Sequence, residues 1–261
     1  LKIWTVANQK GGVGKTTTTV TLGGILASQG KKVLLIDTDP HASLTYYFGI
    51  DSEQLEISVY DIFARGKNMK KEEILQSLCP SSMENLDILP ATMAIATLDR
   101  SMGNKNGMGL LLKKALAKLD NEYDYAILDC PPVLGVLMVN ALAASERILI
   151  PVQTEFLALK GLDRMMRTME LMQSSQSKTY QYTIVPTMYD KRTKASLEAY
   201  KTLRTTYGDK VWPGVIPVDT KFRDASLAMK VPSLFCPKAR GVYAYEALLK
   251  YLMKINGEAS L

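Results

Sequence analysis

Apolar runs alternate with amphipathic stretches along the whole chain. The runs at residues 2–7, 33–37, 86–89, 125–129, 147–152, 180–188 and 211–216 mostly lack strict polar/apolar alternation, which predicts strands buried on both faces. Between them, apolar positions recurring every three to four residues predict helices over 15–29, 108–119, 136–144, 159–173, 194–207 and 241–255. Strand followed by helix, repeated, predicts an α/β fold: a mostly parallel twisted sheet with helices on both faces.

Residues 40–85 are less regular, with short helical pieces at 58–64 and 71–78, and are read as an insertion packed beside the functional site. No internal repeat, low-complexity tract or Pro/Gly/Ser linker divides the chain. One domain spanning residues 1–261 is therefore expected.

Composition adds constraints. Hydrophobic residues make up 47% and charged residues 22%, enough apolar side chain to build a core without staples. No run approaches the about 20 apolar residues needed to span a bilayer, and the first residues read as a strand rather than a signal peptide, so the cytoplasm is the expected compartment. Cys79, Cys130 and Cys236 lie far apart and form no C-x-x-C pair, which signals neither a disulfide framework nor a zinc site. The net charge of +6 permits contact with polyanions without demanding it.

The strongest chemical signal is Lys10-Gly11-Gly12-Val13-Gly14-Lys15-Thr16-Thr17, which follows a predicted strand and opens a predicted helix. Its glycines allow the backbone N–H groups from Gly12 to Thr17 to converge on an anion, and the helix N-terminus adds partial positive charge. By the logic of a Walker A loop, Lys15 reaches the β- and γ-phosphates of a nucleotide and Thr16 ligates the bridging magnesium. Lys10 is an addition, because an ordinary loop of this kind requires no cation there. Carboxylates accompany the loop: Asp37 and Asp39 stand two apart where the second strand ends, and Asp129 closes a later one. Phosphoryl transfer to water needs a positioned nucleophile and neutralised charge, which such groups can supply.

Lys10–Thr17, together with Asp37-Thr38-Asp39-Pro40, Asp129-Cys130-Pro131-Pro132, Pro151-Val152-Gln153-Thr154-Glu155 and Ile216-Pro217-Val218-Asp219, resembles the ParA/MinD family of deviant Walker A ATPases over nearly the whole chain. The resemblance implies an ATP- and magnesium-dependent ATPase, slow and stimulated by a partner, that is a homodimer when ATP is bound. It implies that Lys10 reaches the partner subunit's phosphates, that Asp39 orients the attacking water, that Asp37 supports the metal environment and that Asp129 holds magnesium through a coordinated water. Pro217 and Asp219 match positions that frame the adenine. Three positions depart from the pattern: His41 where glutamine is common, Val133 where serine is frequent, and Lys160 where many relatives carry glutamate. His41, the only histidine, is read as a surface or packing residue.

Basic residues gather in the last third at Lys191, Arg192, Lys194, Lys201, Arg204, Lys221, Arg223 and Lys230. In many ParA-type relatives such a surface grips the DNA backbone without reading sequence, and Lys191, Arg192, Lys221 and Arg223 are the candidates here. Neither an amphipathic membrane-targeting tail nor a DNA-reading segment ahead of the phosphate loop is expected. The segments 4–9 and 37–45 look most like the ParC proteins that localise chemotaxis arrays at bacterial poles. The expected function is thus positioning of cargo at the pole or on the nucleoid through an adaptor, with chromosome or plasmid partitioning by a centromere-binding partner as the alternative. An iron–sulfur carrier would want clustered cysteines, and a P-loop metabolic enzyme would want a substrate pocket that the sequence does not reveal.

Overall fold

The computed structural model describes residues 1–98, 110–176 and 179–257. Seven strands form one sheet: β1 (Lys2–Val6), β2 (Val33–Asp37), β3 (Cys79–Pro80), β4 (Leu86–Leu89), β5 (Tyr125–Asp129), β6 (Arg147–Gln153) and β7 (Gln181–Thr187). Their spatial order is β3-β4-β2-β5-β1-β6-β7, and all neighbours run parallel except β3 against β4. The helices are α1 (Lys15–Ser28), α2 (Ser43–Tyr47), α3 (Val59–Arg65), α4 (Lys71–Gln76), α5 (Leu111–Leu116), α6 (Val136–Ala144), α7 (Phe156–Gln176), α8 (Lys194–Tyr207), α9 (Lys221–Leu227), α10 (Pro232–Phe235) and α11 (Arg240–Ile255).

Because both faces of the central strands are covered, β2 and β5 are buried at every position, as their unbroken apolar runs demand. Two buried clusters result. One gathers Leu34, Ile36, Leu128 and Ile150 with side chains of α6 and α7, and the other gathers Val33, Leu35, Ile127 and Leu149 with α1 and α11. Residues 40–85 do not stand apart, since Val59, Ile62, Phe63, Met69 and Ile74 belong to the first cluster. Among the described residues, no helix is long and apolar enough to cross a membrane.

Register decides where the chemistry lies. Val6 is level with Asp129, and Asp129 with Asp37, so β1, β5 and β2 end at one line and their following loops share one edge. Ligands of open parallel sheets sit outside such carboxyl ends.

Two elements differ from expectation. The apolar run 211–216 is not a strand: Pro213 offers no N–H, and the pairing is confined to isolated bridges, Val211 with Ile184 of β7 and, just past the run, Pro217 with Tyr189. It runs as a strap, with Trp212 N–H donating to Ile184 O (2.9 Å) and Ile216 N–H to Pro186 O (2.8 Å). The seventh strand is instead the two-residue β3, which the periodicity of 40–85 does not signal. The expected helix start at Met108 and the end of the tail, 258–261, lie outside the described residues.

Gly24, in α1, tests how tightly that helix is seated. A Cβ there would lie 2.8 Å from both Val231 Cβ and Ser233 Oγ, at the start of α10. Overpacking costs about 1–3 kcal/mol, against a helix-propensity gain of about 1 kcal/mol for alanine over glycine. Gly24→Ala is expected to lower stability by up to about 2 kcal/mol in urea denaturation, and an unchanged or raised midpoint would contradict this packing.

Candidate nucleotide site

The loop between β1 and α1 turns through two left-handed glycines, Gly12 (φ 72°) and Gly14 (φ 91°), a region that side chains disfavour. No heavy atom lies within 4 Å of where a Cβ would stand at Gly11, Gly12 or Gly14, so the loop borders open space. Its base is anchored. Asn8 Nδ2 donates to Pro151 O (2.8 Å), Lys10 N–H donates to Asn8 Oδ1 (3.0 Å), and Gln9 Nε2 donates to Thr168 Oγ1 (2.7 Å) on α7. Val13 is buried behind the loop, and its carbonyl accepts from Thr187 Oγ1 (2.9 Å) at the end of β7.

A cavity of about 390 Å³ opens in front of the loop, lined by Gly11, Gly12, Lys15, Thr16, Asp39 and His41 among others. A second, of about 410 Å³, is lined by Gly14, Thr17, Pro217, Asp219, Phe222 and Tyr245. Gly14, Thr17 and Met188 line both. The expected phosphate-loop residues thus meet Asp39 in one cavity and lead into the space beside Pro217 and Asp219. Asp219 serves the fold as well: its Oδ1 accepts from Lys221 N–H (3.0 Å) and its Oδ2 from Gly241 N–H (2.9 Å).

Lys15 is buried, with its Nζ 3.0 Å from Lys10 O. Burial pushes its amine pKa down, against the pull of Asp129, Cys130 and Asp39. Asp129 is buried beside it. Thr16 Oγ1 donates to Asp129 Oδ2 (2.6 Å), while Oδ1 has no partner. Burial, and then the charge of Asp37, pushes Asp129 upward; Thr16 and Lys15 oppose the shift. Asp37 is pushed up to about 6 by burial, a shift limited by bonds from Thr45 and Asp39. Both its oxygens are taken: Oδ1 accepts from Asp39 N–H (3.0 Å), and Oδ2 accepts from Thr45 N–H (2.9 Å) and Thr45 Oγ1 (2.8 Å). Asp37 therefore ties down the 37–45 loop, and Thr45 carries that tie to the segment after β4 by accepting from Ala91 N–H (2.9 Å).

The donor set suits magnesium. An unpartnered buried carboxylate oxygen beside a threonine hydroxyl calls for a cation or its water ligands. Among the described residues no three His, Cys, Asp or Glu side chains cluster as an all-protein metal cage.

Three features escaped the sequence. The Lys10 amine forms an ion pair with Glu155 of the same chain, at the foot of α7, and its stem packs against Gly161. His41 is a surface residue, as read from the sequence, but its ring also bonds Asp39. Met188 adopts a left-handed backbone (φ 50°) where the two cavities meet. None of these features has a sequence spacing that announces it. The basic candidates are exposed and partly self-neutralised. Arg192 forks onto Asp190 (2.9 and 2.7 Å), Lys221 pairs with Asp224 (3.1 Å), Lys191 is exposed on the same turn as Arg192, and Arg223 lines the second cavity.

Comparison with known proteins agrees with this geometry. An AAA domain family model matches residues 1–182. The sporulation initiation inhibitor protein Soj of Bacillus subtilis is 38% identical over 250 residues, covering 95% of this chain and 97% of its own. The chromosome partitioning protein ParA of Caulobacter vibrioides is 35% identical over 253 residues, covering 96% and 93%. A crystal structure of cobyrinic acid a,c-diamide synthase from Mycobacterium smegmatis, with bound ATP analogue and magnesium, superposes with a TM-score of 0.83 at 31% identity, covering 100% of this chain and 98% of the other. With a glycine-rich phosphate loop, level strand ends and relatives matched nearly end to end, the chain belongs to the ParA/MinD family of P-loop ATPases.

Proposed function

We propose that this protein is an ATP-dependent dimerising ATPase that segregates or positions a large cellular cargo. The observation that carries the reading is the open glycine loop backed by buried Lys15 and by the Thr16–Asp129 pair, whose second carboxylate oxygen has no protein partner. Burial works against the charges of both Lys15 and Asp129. A triphosphate with magnesium would restore each, since the polyanion faces the amine and the cation faces the carboxylate.

On this reading the N–H groups from Gly12 to Thr17 cradle phosphate oxygens, with Gly11 and Val13 completing the turn and its anchor. Lys15 meets the β- and γ-phosphates. Thr16 would ligate magnesium and Asp129 would hold it through water, while Asp37 supports that environment by fixing the 37–45 loop. When bound, the metal neutralises charge on the phosphoryl group being transferred. Asp39 orients the attacking water, and Pro217 and Asp219 border the adenine. Hydrolysis of ATP to ADP and phosphate is slow until a partner stimulates it.

Dimerisation follows from Lys10. Its amine sits in a monomeric ion pair with Glu155, yet it lies on the same sheet edge as Val133 and Leu134, after β5, and Phe156 and Leu157, after β6. These apolar side chains are 47–68% exposed, a patch suited to a second copy. In the dimer Lys10 would leave Glu155 for the partner's triphosphate, exchanging a half-exposed carboxylate for a more highly charged, desolvated anion.

The names of the relatives favour the chromosome or a plasmid as cargo, with a centromere-binding adaptor, and the non-specific DNA surface at Lys191, Arg192, Lys221 and Arg223 fits a nucleoid track. The chemotaxis-array reading rests on the ParC-like segments at 4–9 and 37–45. The synthase likeness adds a ligase reading, which turnover raised by a small acid, rather than by DNA or a protein, would favour. A fluorescent fusion that follows the nucleoid supports partitioning, whereas one that follows chemoreceptor clusters supports array positioning.

Lys10→Ala is expected to retain ATP affinity while weakening the ATP-bound dimer at least about tenfold in sedimentation velocity; an unchanged dimer would contradict the cross-subunit role. Asp39→Ala should bind ATP and dimerise but release phosphate about 100-fold more slowly, and turnover near that of the unaltered chain would exclude Asp39 as the water-orienting group.

A further inference from the structure

We propose that His41 is a positioning residue for Asp39, holding that carboxylate in the orientation needed for hydrolysis. The inference rests on the ATPase reading above and adds a residue to it. Asp39 Oδ1 accepts two bonds from this single neighbour, one from His41 N–H (2.9 Å) and one from the imidazole Nδ1 (2.8 Å). Among the described residues no other hydrogen bond reaches the carboxylate, which leaves Oδ2 open while Asp39 lines the phosphate cavity. A carboxylate only accepts, which fixes the proton of the contacting ring nitrogen on Nδ1.

The ring has little else to do. Its side chain is 76% exposed, whereas that of Asp39 is 13% exposed, so the imidazole folds back onto the carboxylate and does not fill a core position. The backbone beneath it is already closed by Ala42 N–H donating to Asp39 O (2.8 Å), with Ala42 in the left-handed region (φ 53°), and by the bonds that Thr45 makes to Asp37. The loop therefore keeps its shape without the imidazole. What the imidazole adds is a second restraint on the torsions of Asp39, one that pins Oδ1 and leaves Oδ2 as the group able to accept a proton or a hydrogen bond from water. A nucleophile is aligned by a carboxylate only if that carboxylate holds one orientation through the approach.

Asparagine offers the matching control. Its Nδ2 is separated from Cα by the same number of bonds as histidine Nδ1, so it can donate to Asp39 Oδ1 from the same place without an aromatic ring. Glutamine extends one bond further and corresponds to Nε2, whereas the atom bonded to Asp39 is Nδ1.

The test uses the whole chain described above with ATP and magnesium, and any stimulating DNA, in steady-state phosphate release, alongside nucleotide affinity and the ATP-dependent dimer. His41→Ala is expected to lower kcat about 5- to 10-fold, with KM, the dimer and the melting temperature unchanged, as for loss of one exposed charge-assisted bond. His41→Asn should recover most of that loss. An unaltered kcat in His41→Ala, a loss appearing in KM or dimerisation instead of kcat, or an asparagine variant no better than alanine would each overturn the inference. If the unaltered chain hydrolyses no ATP, the ATPase reading falls and this inference falls with it. Normal hydrolysis that ignores His41 removes only the latter.

Discussion

The site depends on one constraint: three parallel neighbours, β2, β5 and β1, stop at the same level. A parallel ladder fixes register strand by strand, and a one-residue slip would turn Asp37 or Asp129 to the opposite face. With that register set, Asp37, Asp129 and the phosphate loop converge at one edge although up to 113 residues separate the partners, as in Thr16 and Asp129. The apolar interior of each strand holds the polar ends in place, since β2 and β5 are buried along their whole length. Packing energy distributed over the sheet thus sets distances of a few ångströms at its rim.

That rim concentrates negative charge. Asp37 and Asp129 are buried, and Asp39 nearly so, facing one buried lysine. The two oxygens of Asp37 are satisfied by backbone and hydroxyl donors, so its burial is compensated inside the chain. Asp129 has one oxygen satisfied and one not. The difference separates a carboxylate that organises a loop from one whose remaining valence suits a cation. Two acids that look alike in the sequence, each at the end of a strand, acquire different chemistry from whether a threonine lies eight residues on or across the site on the phosphate loop.

Much of the fold was legible because its strands are buried on both faces and written as apolar runs, and the glycine loop announced itself by spacing between a strand and a helix. The failures have local causes. The 211–216 run carries strand-like side chains, but Pro213 interrupts the donors and the segment only straps the edge of β7. The two-residue β3 is held by pairing with β4 and carries no periodic signal of its own. Residues 40–85 looked irregular because their helices are only 5, 7 and 6 residues long, too short to repeat a buried stripe over several turns. At the site, the sequence supplied the loop and the acids but not their partners, because Lys10–Glu155 and Thr45–Ala91 join distant segments. His41–Asp39 joins near ones, yet an exposed histidine after a proline gives no sign that its ring folds back.

The ion pair between Lys10 and Glu155 bears on how such a site could distinguish two nucleotides. A lysine left free in the monomer would interact with any nearby anion, and its preference for a third phosphate would be diluted by water. Held by a carboxylate on its own chain, it is released only by an anion that attracts it more strongly, in a setting drier than the 40% exposure of the Glu155 side chain. In the proposed dimer the γ-phosphate of a partner subunit, met across an apolar seam of residues such as Val133 and Phe156, would satisfy both conditions, and a diphosphate ending one group further back would satisfy neither as well. In the proposed dimer the internal pair thus sets the threshold that makes association depend on the third phosphate, and loss of that phosphate returns the lysine to Glu155.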